Sequence, residues 1–354
     1  MKKFSLIFLN TLLLFFIINL VISFTWPIYS KFKSKKHQYI DEQVKVLNLS
    51  EENLDIFYNE MSENYHKFAY VPFIGHTETK RVGKFVNFDQ LNGRKVIRPQ
   101  NCNYNVYLYG GSTMFGYESI DKETIAQHLQ NILGNNYCIF NHGRAYFYSK
   151  QENNLFALHI ENNHKIDFAI FLDGINERCG GYEYDKHIHR SFSILVERPY
   201  KMWRKTSMDL LYTLPVIQFY NSLQIKYFGK SRWRNNNDNK ILSIESCKNK
   251  IPINALFQKR VNLRHGLCSE ENITCFSFLQ PFGGVHGVQS DKIITNERKI
   301  RMLKLYNKLK KTKKHVIDIG DVLMEDTTLS YVDGAHYTSR SNRKIAEKIS
   351  LFFN

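Results

Sequence analysis

The chain has 354 residues, 43% hydrophobic and 14% aromatic, which excludes a disordered or collagen-like polymer and allows one sizeable α/β domain with appendages. Its formal charge of +16 arises from 49 Lys and Arg against 33 Asp and Glu. These bases are scattered through Lys- and Asn-rich segments rather than gathered on one predicted helix, so no nucleic-acid partner is expected. A basic exterior suits an anionic membrane surface or an acidic polysaccharide, or reflects a compositional bias of the source.

Residues 4–24 (FSLIFLNTLLLFFIINLVISF) carry no charge, and as a helix they cover roughly 31 Å, the hydrocarbon thickness of a bilayer. Trp26 and Tyr29 follow at interfacial depth, and Lys31, Lys33, Lys35 and Lys36 close the segment. Residues 1–30 are therefore expected to form a single-pass membrane anchor. A cleaved secretion signal is the alternative, although the apolar run exceeds the usual core of such signals and no small-x-small cleavage site precedes the lysines. Lys2 and Lys3 on one side against the four lysines on the other mildly favour a cytoplasmic C-terminal domain. A lone N-terminal span most often tethers an exported domain, however, and six cysteines (102, 138, 179, 247, 268, 275) make an even set compatible with an oxidising compartment. The expectation is a domain on the extracytoplasmic, periplasmic side. Cys268 and Cys275 bracket a short polar loop that a disulfide could close, and no CxxC zinc pattern is present.

Residues 31–100 read as stalk and lead-in. The first part, to 65, is charged and Asn/Glu-rich with a weak helical repeat of Val44, Leu47 and Leu49, and 66–100 is mixed and Gly-containing, irregular or β-rich. The main domain, 101–354, alternates short apolar runs with helical ones, the pattern of βαβ units and a mostly parallel sheet. Five runs are predicted as strands: 106–109, 137–140, 168–172, 275–279 and 316–319. Ile125, Leu129, Ile132 and Leu133 share one helical face behind an expected Asp121 cap, and Ile345, Ala346 and Ile349 do so in the terminal helix. The connection from about 180 to 270 is too long for a simple crossover and reads as an inserted subregion. Within it, 208–228 is apolar and aromatic between basic flanks, a cap helix over the site mouth or an interfacial helix, kinked at Pro215. Residues 235–239 (NNNDN) read as an exposed loop.

In an open parallel sheet, reactive groups gather at the carboxyl ends of the strands. Ser112 follows the first strand, Asn141-His142-Gly143 the second and Asp173-Gly174-Ile175-Asn176 the third, while Asp333 and His336 precede the last helix. A serine hydroxyl is a poor nucleophile until a histidine takes its proton and an acid fixes that imidazole. Each motif alone is weak, since a serine after a strand is commonly a helix cap and Asn176 could simply stabilise a turn. Their common placement carries the signal.

With these blocks the chain resembles the SGNH (GDSL-type) serine hydrolases over about residues 104–354, as a bacterial membrane-anchored member. Tyr109-Gly110-Gly111-Ser112-Thr113 with Gly116 resembles the family's first block, Asn141-His142-Gly143 the second, Asp173-Gly174-Ile175-Asn176-Glu177 the third, and Asp333-Gly334-Ala335-His336 the last. The resemblance implies a three-layer flavodoxin-like α/β sandwich with a five-stranded parallel sheet. It also implies Ser112 as nucleophile, His336 as base and Asp333 as its orienter, with the Ser112 and Gly143 amides and the Asn176 side chain binding the oxyanion. Gly111 stands where many members have aspartate, and Glu177 where aspartate is usual. Tyr70-Val71-Pro72-Phe73-Ile74-Gly75 and Gly83-Lys84-Phe85-Val86-Asn87 resemble the lead-in of membrane-anchored members.

The function so implied is a serine-dependent acyl-ester hydrolase acting on an acylated envelope glycan or lipid, with no cofactor and no metal. An O-acyltransferase using the same triad is the alternative, and a non-catalytic glycan-binding assembly protein a third. His142 and His286 read as ordinary packed or surface histidines. His187 and His189 lack acidic partners and are not expected to bind metal.

Overall fold

The computed structural model describes residues 2–32, 47, 49–66, 68–89, 92–177, 216, 220, 251–290 and 294–353. Apart from residues 216 and 220, the expected apolar helix at 208–228 lies outside the described residues, as do the loop at 235–239, His187 and His189, and most of the insert. The chain divides into two units, Met1–Gln38 with Lys186–Ser243, and Tyr39–Asp185 with Ile244–Asn354.

In the first unit, helix α1 (Lys2–Phe32) contains a stretch, Ile7–Thr25, that is long and apolar enough to cross a bilayer. A secretion signal passes the same test of length and composition. Its few polar side chains bond within the helix: Thr11 Oγ1 donates to Ile7 O, Asn19 Nδ2 to Phe15 O and Thr25 Oγ1 to Val21 O, at 2.8–2.9 Å. Groups satisfied this way can lie in hydrocarbon at little cost.

The second unit opens with α2 (Glu51–His66), whose Leu54, Phe57 and Met61 are buried, so this part of the lead-in belongs to the folded body. The hairpin β1 (Phe68–Val71) and β2 (Gly75–Glu78) follows, then two short strands, β3 (Phe88–Asp89) and β4 (Gly93–Arg94). The βα units then run β5 (Tyr104–Gly110), the turn α3 (Ser112–Phe115), α4 (Ile125–Leu133), β6 (Tyr137–Asn141), α5 (Ser149–Glu161) and β7 (Phe168–Asp173). After the undescribed stretch come α6 (Ile253–Glu270), β8 (Thr274–Leu279), α7 (Asn296–Leu309), β9 (Val316–Asp318) and α8 (Ser339–Ser350).

The main sheet is mixed, in the order β3-β4-β6-β5-β7-β8-β9, rather than five-stranded and all parallel. Its parallel part is β6-β5-β7-β8-β9, with Val106 opposite Ile139 and Phe168, Ile170 opposite Phe276, and Phe278 opposite Ile317. The addition is the antiparallel pair β3 and β4, joined to β6 where Arg94 faces Asn141. Two-residue strands show no apolar alternation, so sequence pattern could not reveal them.

Strand alternation sorts β5 onto two cores. Val106 and Leu108 pack with Ile125, Ala126 and Leu129 of α4 and Ile345, Ala346 and Ile349 of α8. Tyr107 and Tyr109 face the other way, onto Leu155 and Phe156 of α5 and Cys268 of α6. Each fully buried Val, Leu, Ile or Phe among these contributes about 1.5–3 kcal/mol by leaving water. Helix α6 also joins Leu279, Phe282, Leu305 and Leu309, so the last stretch of the 180–270 segment packs with the sheet.

Asp121 is not the cap of α4. It lies in a short 3-10 turn and accepts from Arg94 Nε at 2.7 Å and Asn87 Nδ2 at 2.7 Å, leaving Thr124 to accept from Gln127 N. Cys268 is bonded to Cys275, and Cys102 to Cys138, which ties the entries of β5 and β6. Cys179 and Cys247 lie outside the described residues.

Candidate active site

β6 lies on one side of β5 and β7 on the other, so the chain reverses its winding at the carboxyl end of β5. That switch point leaves a crevice in an open α/β sheet. Gly110 ends β5, and Gly111 and Ser112 begin the turn α3, which closes with Gly116 and Tyr117 N both donating to Ser112 O at 3.0 Å. The Ser112 N–H, being first in the turn, has no acceptor within it. A Cβ on Gly111 would come 2.4 Å from Asn176 Nδ2, so the aspartate common at this position in the resembled family would displace that amide.

His336 Nε2 lies 2.9 Å from Ser112 Oγ, and His336 Nδ1 lies 2.7 Å from Asp333 Oδ2. The other carboxylate oxygen, Oδ1, accepts from the Ala335 and His336 backbone N–H groups, each at 2.7 Å. This tight turn locks the carboxylate against the ring edge. The carboxyl of Asp333 is held down to about 2: burial pushes it up, and the His336 charge, its ring N–H and the two backbone donors outweigh that. His336 is raised above its ordinary value, because burial, which lowers it, is outweighed by Asp333 and then Glu118, with Arg298 opposing. Charge on the imidazole is thus favoured, as a base that must take up a proton requires.

The other two expected residues sit against the same turn. Gly143 donates its N–H to Asn141 Oδ1 at 3.0 Å, and Asn141 Nδ2 donates to Met114 O at 2.9 Å. In this state the Gly143 amide is therefore committed, and serving an oxyanion requires it to share or release that bond. Asn176 Nδ2 donates to Phe147 O at 3.0 Å, and an amide nitrogen carries a second hydrogen. Glu177 faces inward, accepting from Ser149 N at 2.7 Å, Ser149 Oγ at 2.9 Å and Arg260 Nη1 at 3.0 Å, a brace for the loop that carries Asn176. His142 is stacked on Tyr107 and His286 accepts from Phe282 N, so both are packed side chains away from this chain of bonds. Among the described residues no cluster of three or more His, Cys, Asp or Glu side chains is arranged to hold a metal ion.

Sequence reasoning missed Glu118 and Arg298. Glu118 has φ +60°, a left-handed backbone that side-chain-bearing residues seldom adopt. Its carboxyl is pushed up to about 7, by burial first and then by Asp333. Arg298 lies against Gly334, between Asp333 and His336. Neither falls in a recognisable block, and only a second charge near a DxxH turn in space reveals them.

No family model matches the chain, and no curated protein matches it. Among solved structures, the acetyl xylan esterase AlAXEase is similar at 12% identity, over 71% of this chain and 100% of that one, with a TM-score of 0.38. A carbohydrate acetylesterase family member from Sinorhizobium meliloti stands at 12% identity, 71% and 97% coverage and a TM-score of 0.37. The native aryl esterase of M. smegmatis stands at 12%, 71%, 98% and 0.34. These structural neighbours are esterases. At such TM-scores the likeness bears no weight in the chemistry, which rests on the side chains.

Proposed function

We propose that the chain is a serine-dependent acyl-ester hydrolase working through an acyl-serine intermediate. The observation that carries this is the continuous chain Ser112 Oγ to His336 Nε2 to Asp333 Oδ2, at 2.9 and 2.7 Å. Ser112 Oγ attacks the ester carbonyl while His336 takes its proton, and the alcohol departs with that proton as the acyl-serine ester forms. Water then attacks the acyl carbon, His336 again accepting and returning a proton, and the carboxylic acid leaves. Asp333 keeps Nδ1 protonated and offsets the imidazolium charge. The Ser112 N–H and the second Asn176 amide hydrogen are the oxyanion donors, joined by Gly143 as it leaves Asn141. Loss of one such donor costs about 10²- to 10³-fold in rate.

The reading places this chemistry on a three-layer flavodoxin-like frame, supported by the parallel strand order and by apolar clusters on both sheet faces. It makes α1 a membrane anchor and the domain extracytoplasmic, supported by two disulfides, which persist in oxidising compartments. The substrate is then an acylated envelope saccharide or lipid.

The test is labelling of the full chain with a serine-directed fluorophosphonate, with aryl acetate turnover in parallel. Labelling and turnover both lost in Ser112→Ala are expected; a folded wild type that does neither overturns the reading. Single-turnover release measured with and without an oligosaccharide acceptor assigns the acyl group to water or to a sugar hydroxyl.

A further inference from the structure

We infer that Arg298 forms an anion subsite beside Ser112 and His336, so that the preferred ester carries a carboxylate or phosphate close to its scissile bond. This deepens the ester-hydrolase reading and rests on it.

Arg298 belongs to the first turn of α7, which brings it to the Asp333-to-His336 turn. A Cβ on Gly334 would lie 2.5 Å from its Nη1, 2.6 Å from its Cζ and 3.0 Å from its Nη2. The guanidinium thus occupies the space that glycine leaves open in the middle of this turn. Its side chain is half-buried, with Nε covered and without a hydrogen-bond partner.

The buried arginines elsewhere in the unit all face carboxylates: Arg94 with Asp121 at 2.7 Å, Arg260 with Glu177 at 3.0 Å, Arg264 with Asp173, and Arg144 with Glu78 at 3.9 Å. Arg298 faces none among the described residues. Covering the Nε N–H without a partner costs free energy that folding does not recover. A planar fork with open donors is also the group best matched to a carboxylate or phosphate, which it binds bidentately.

The charge sits where it opposes the proposed chemistry. His336 must become a cation as Ser112 loses its proton, and Arg298 disfavours that cation, while Asp333 and Glu118 favour it. A substrate anion on Arg298 cancels the opposing charge at the moment the ester is in place. The subsite therefore raises affinity and relieves the base together. The overall charge of +16 draws such substrates toward the protein.

The experiment uses the full chain with three acetates: phenyl acetate, 4-carboxyphenyl acetate and 4-acetoxyphenyl phosphate. The wild type should favour the charged esters through KM. In Arg298→Gln the charged-to-neutral ratio of kcat/KM should fall at least about tenfold, the size of one charge-assisted pair, and Arg298→Lys should fall between. The carboxylate and phosphate arms identify the anion. A role confined to bracing the turn or tuning His336 shifts all three esters and their pH profiles together, and that outcome overturns the subsite. Direct binding separates this inference from the catalytic reading and covers a poorly folding variant. Calorimetry on Ser112→Ala should show the carboxyphenyl ester binding more tightly than phenyl acetate, and equal binding refutes the subsite even if turnover is normal. Absent labelling of Ser112 refutes the hydrolase instead.

Discussion

The backbone of Gly143 lies so close to the turn carrying Ser112 that a Cβ at 143 would sit 2.3 Å from Phe115 N and 2.7 Å from Met114 C. Both obstructing atoms are main chain, which cannot swing aside as a flexible side chain can. Asn141 stitches the same two segments, accepting from Gly143 N and donating to Met114 O. The loop after β6 therefore fixes the height of Ser112. Gly143→Ala should displace the turn and lower kcat on an aryl acetate by about 10²-fold, since a misplacement near 1 Å costs that much. Retention of rate within a few-fold, with normal fluorophosphonate labelling, would show that the close approach is dispensable.

His336 acts as a base only when neutral, and its folded-state value stands above the ordinary 6.5. Activity should accordingly rise with pH through a limb centred above pH 6.5. The groups facing the ring are Asp333 and Glu118, which raise it, Arg298, which lowers it, and the Tyr117 ring at 5.9 Å. Asp333→Asn removes the larger raising charge, so the limb should move to lower pH while the plateau drops by about 10⁴-fold through loss of tautomer control. A kcat/KM profile of the variant with an unmoved limb would deny Asp333 this electrostatic role.

The parallel strands and the blocks around Ser112 and Asn176 were legible because each combines an apolar run with a local turn signature, and Asp333 and His336 because they form a short Asp-Gly-Ala-His turn before the last helix. The strand at 106–109, for instance, has its full pattern within a few residues of Ser112. Glu78 with Arg144 and Arg264 with Asp173 left no such trace: their partners lie 66 and 91 residues apart in the chain, and only folding pairs them. Thr124 displaced Asp121 as a cap for the same reason, because Arg94, 27 residues upstream of Asp121, claims that carboxylate. Arg298 acquires meaning only from its contact with Gly334. Local chemistry is readable from sequence, whereas long-range charge pairing is not.

Arg264 is fully buried, donating to both oxygens of Asp173, to Ser277 Oγ at 3.0 Å through Nε, and lying 3.8 Å from Glu152. Its ring-like plane also covers Phe171 at 4.2 Å. Arg264→Met preserves much of the volume but strands two acidic side chains in the core. Breaking a buried pair from one side costs about 3–5 kcal/mol. The urea midpoint of the variant should fall accordingly, and because Asp173 opens the loop to Asn176, turnover should fall with it. An unfolding free energy within about 1 kcal/mol of wild type would place water, rather than a dry ion pair, around Asp173.

His159 and His142 form a second pH-sensitive element, remote from Ser112 in chemistry. Their ring centroids are 4.3 Å apart, and Tyr109 Oη lies 2.8 Å from His159 Nδ1. Burial holds both below the ordinary value, His159 at about 3, reinforced by His164 and Arg144. The native state thus keeps them neutral while the unfolded chain protonates them. The contribution of His159 is intact above pH 6.5 and is lost as pH falls from there toward 3, by up to about 1.4 kcal/mol per pH unit, and that of His142 is lost in the same direction. Glu118, Glu152 and Glu177 are pushed up by burial and act with the opposite sign, so the wild-type curve alone does not isolate the histidines. His159→Gln keeps a partner for Tyr109 but cannot titrate. The stability difference between wild type and this variant should therefore shrink by about 1 kcal/mol between pH 6.5 and 5.5, read from urea unfolding. A difference that stays constant over that interval would mean that His159 is protonated within the fold.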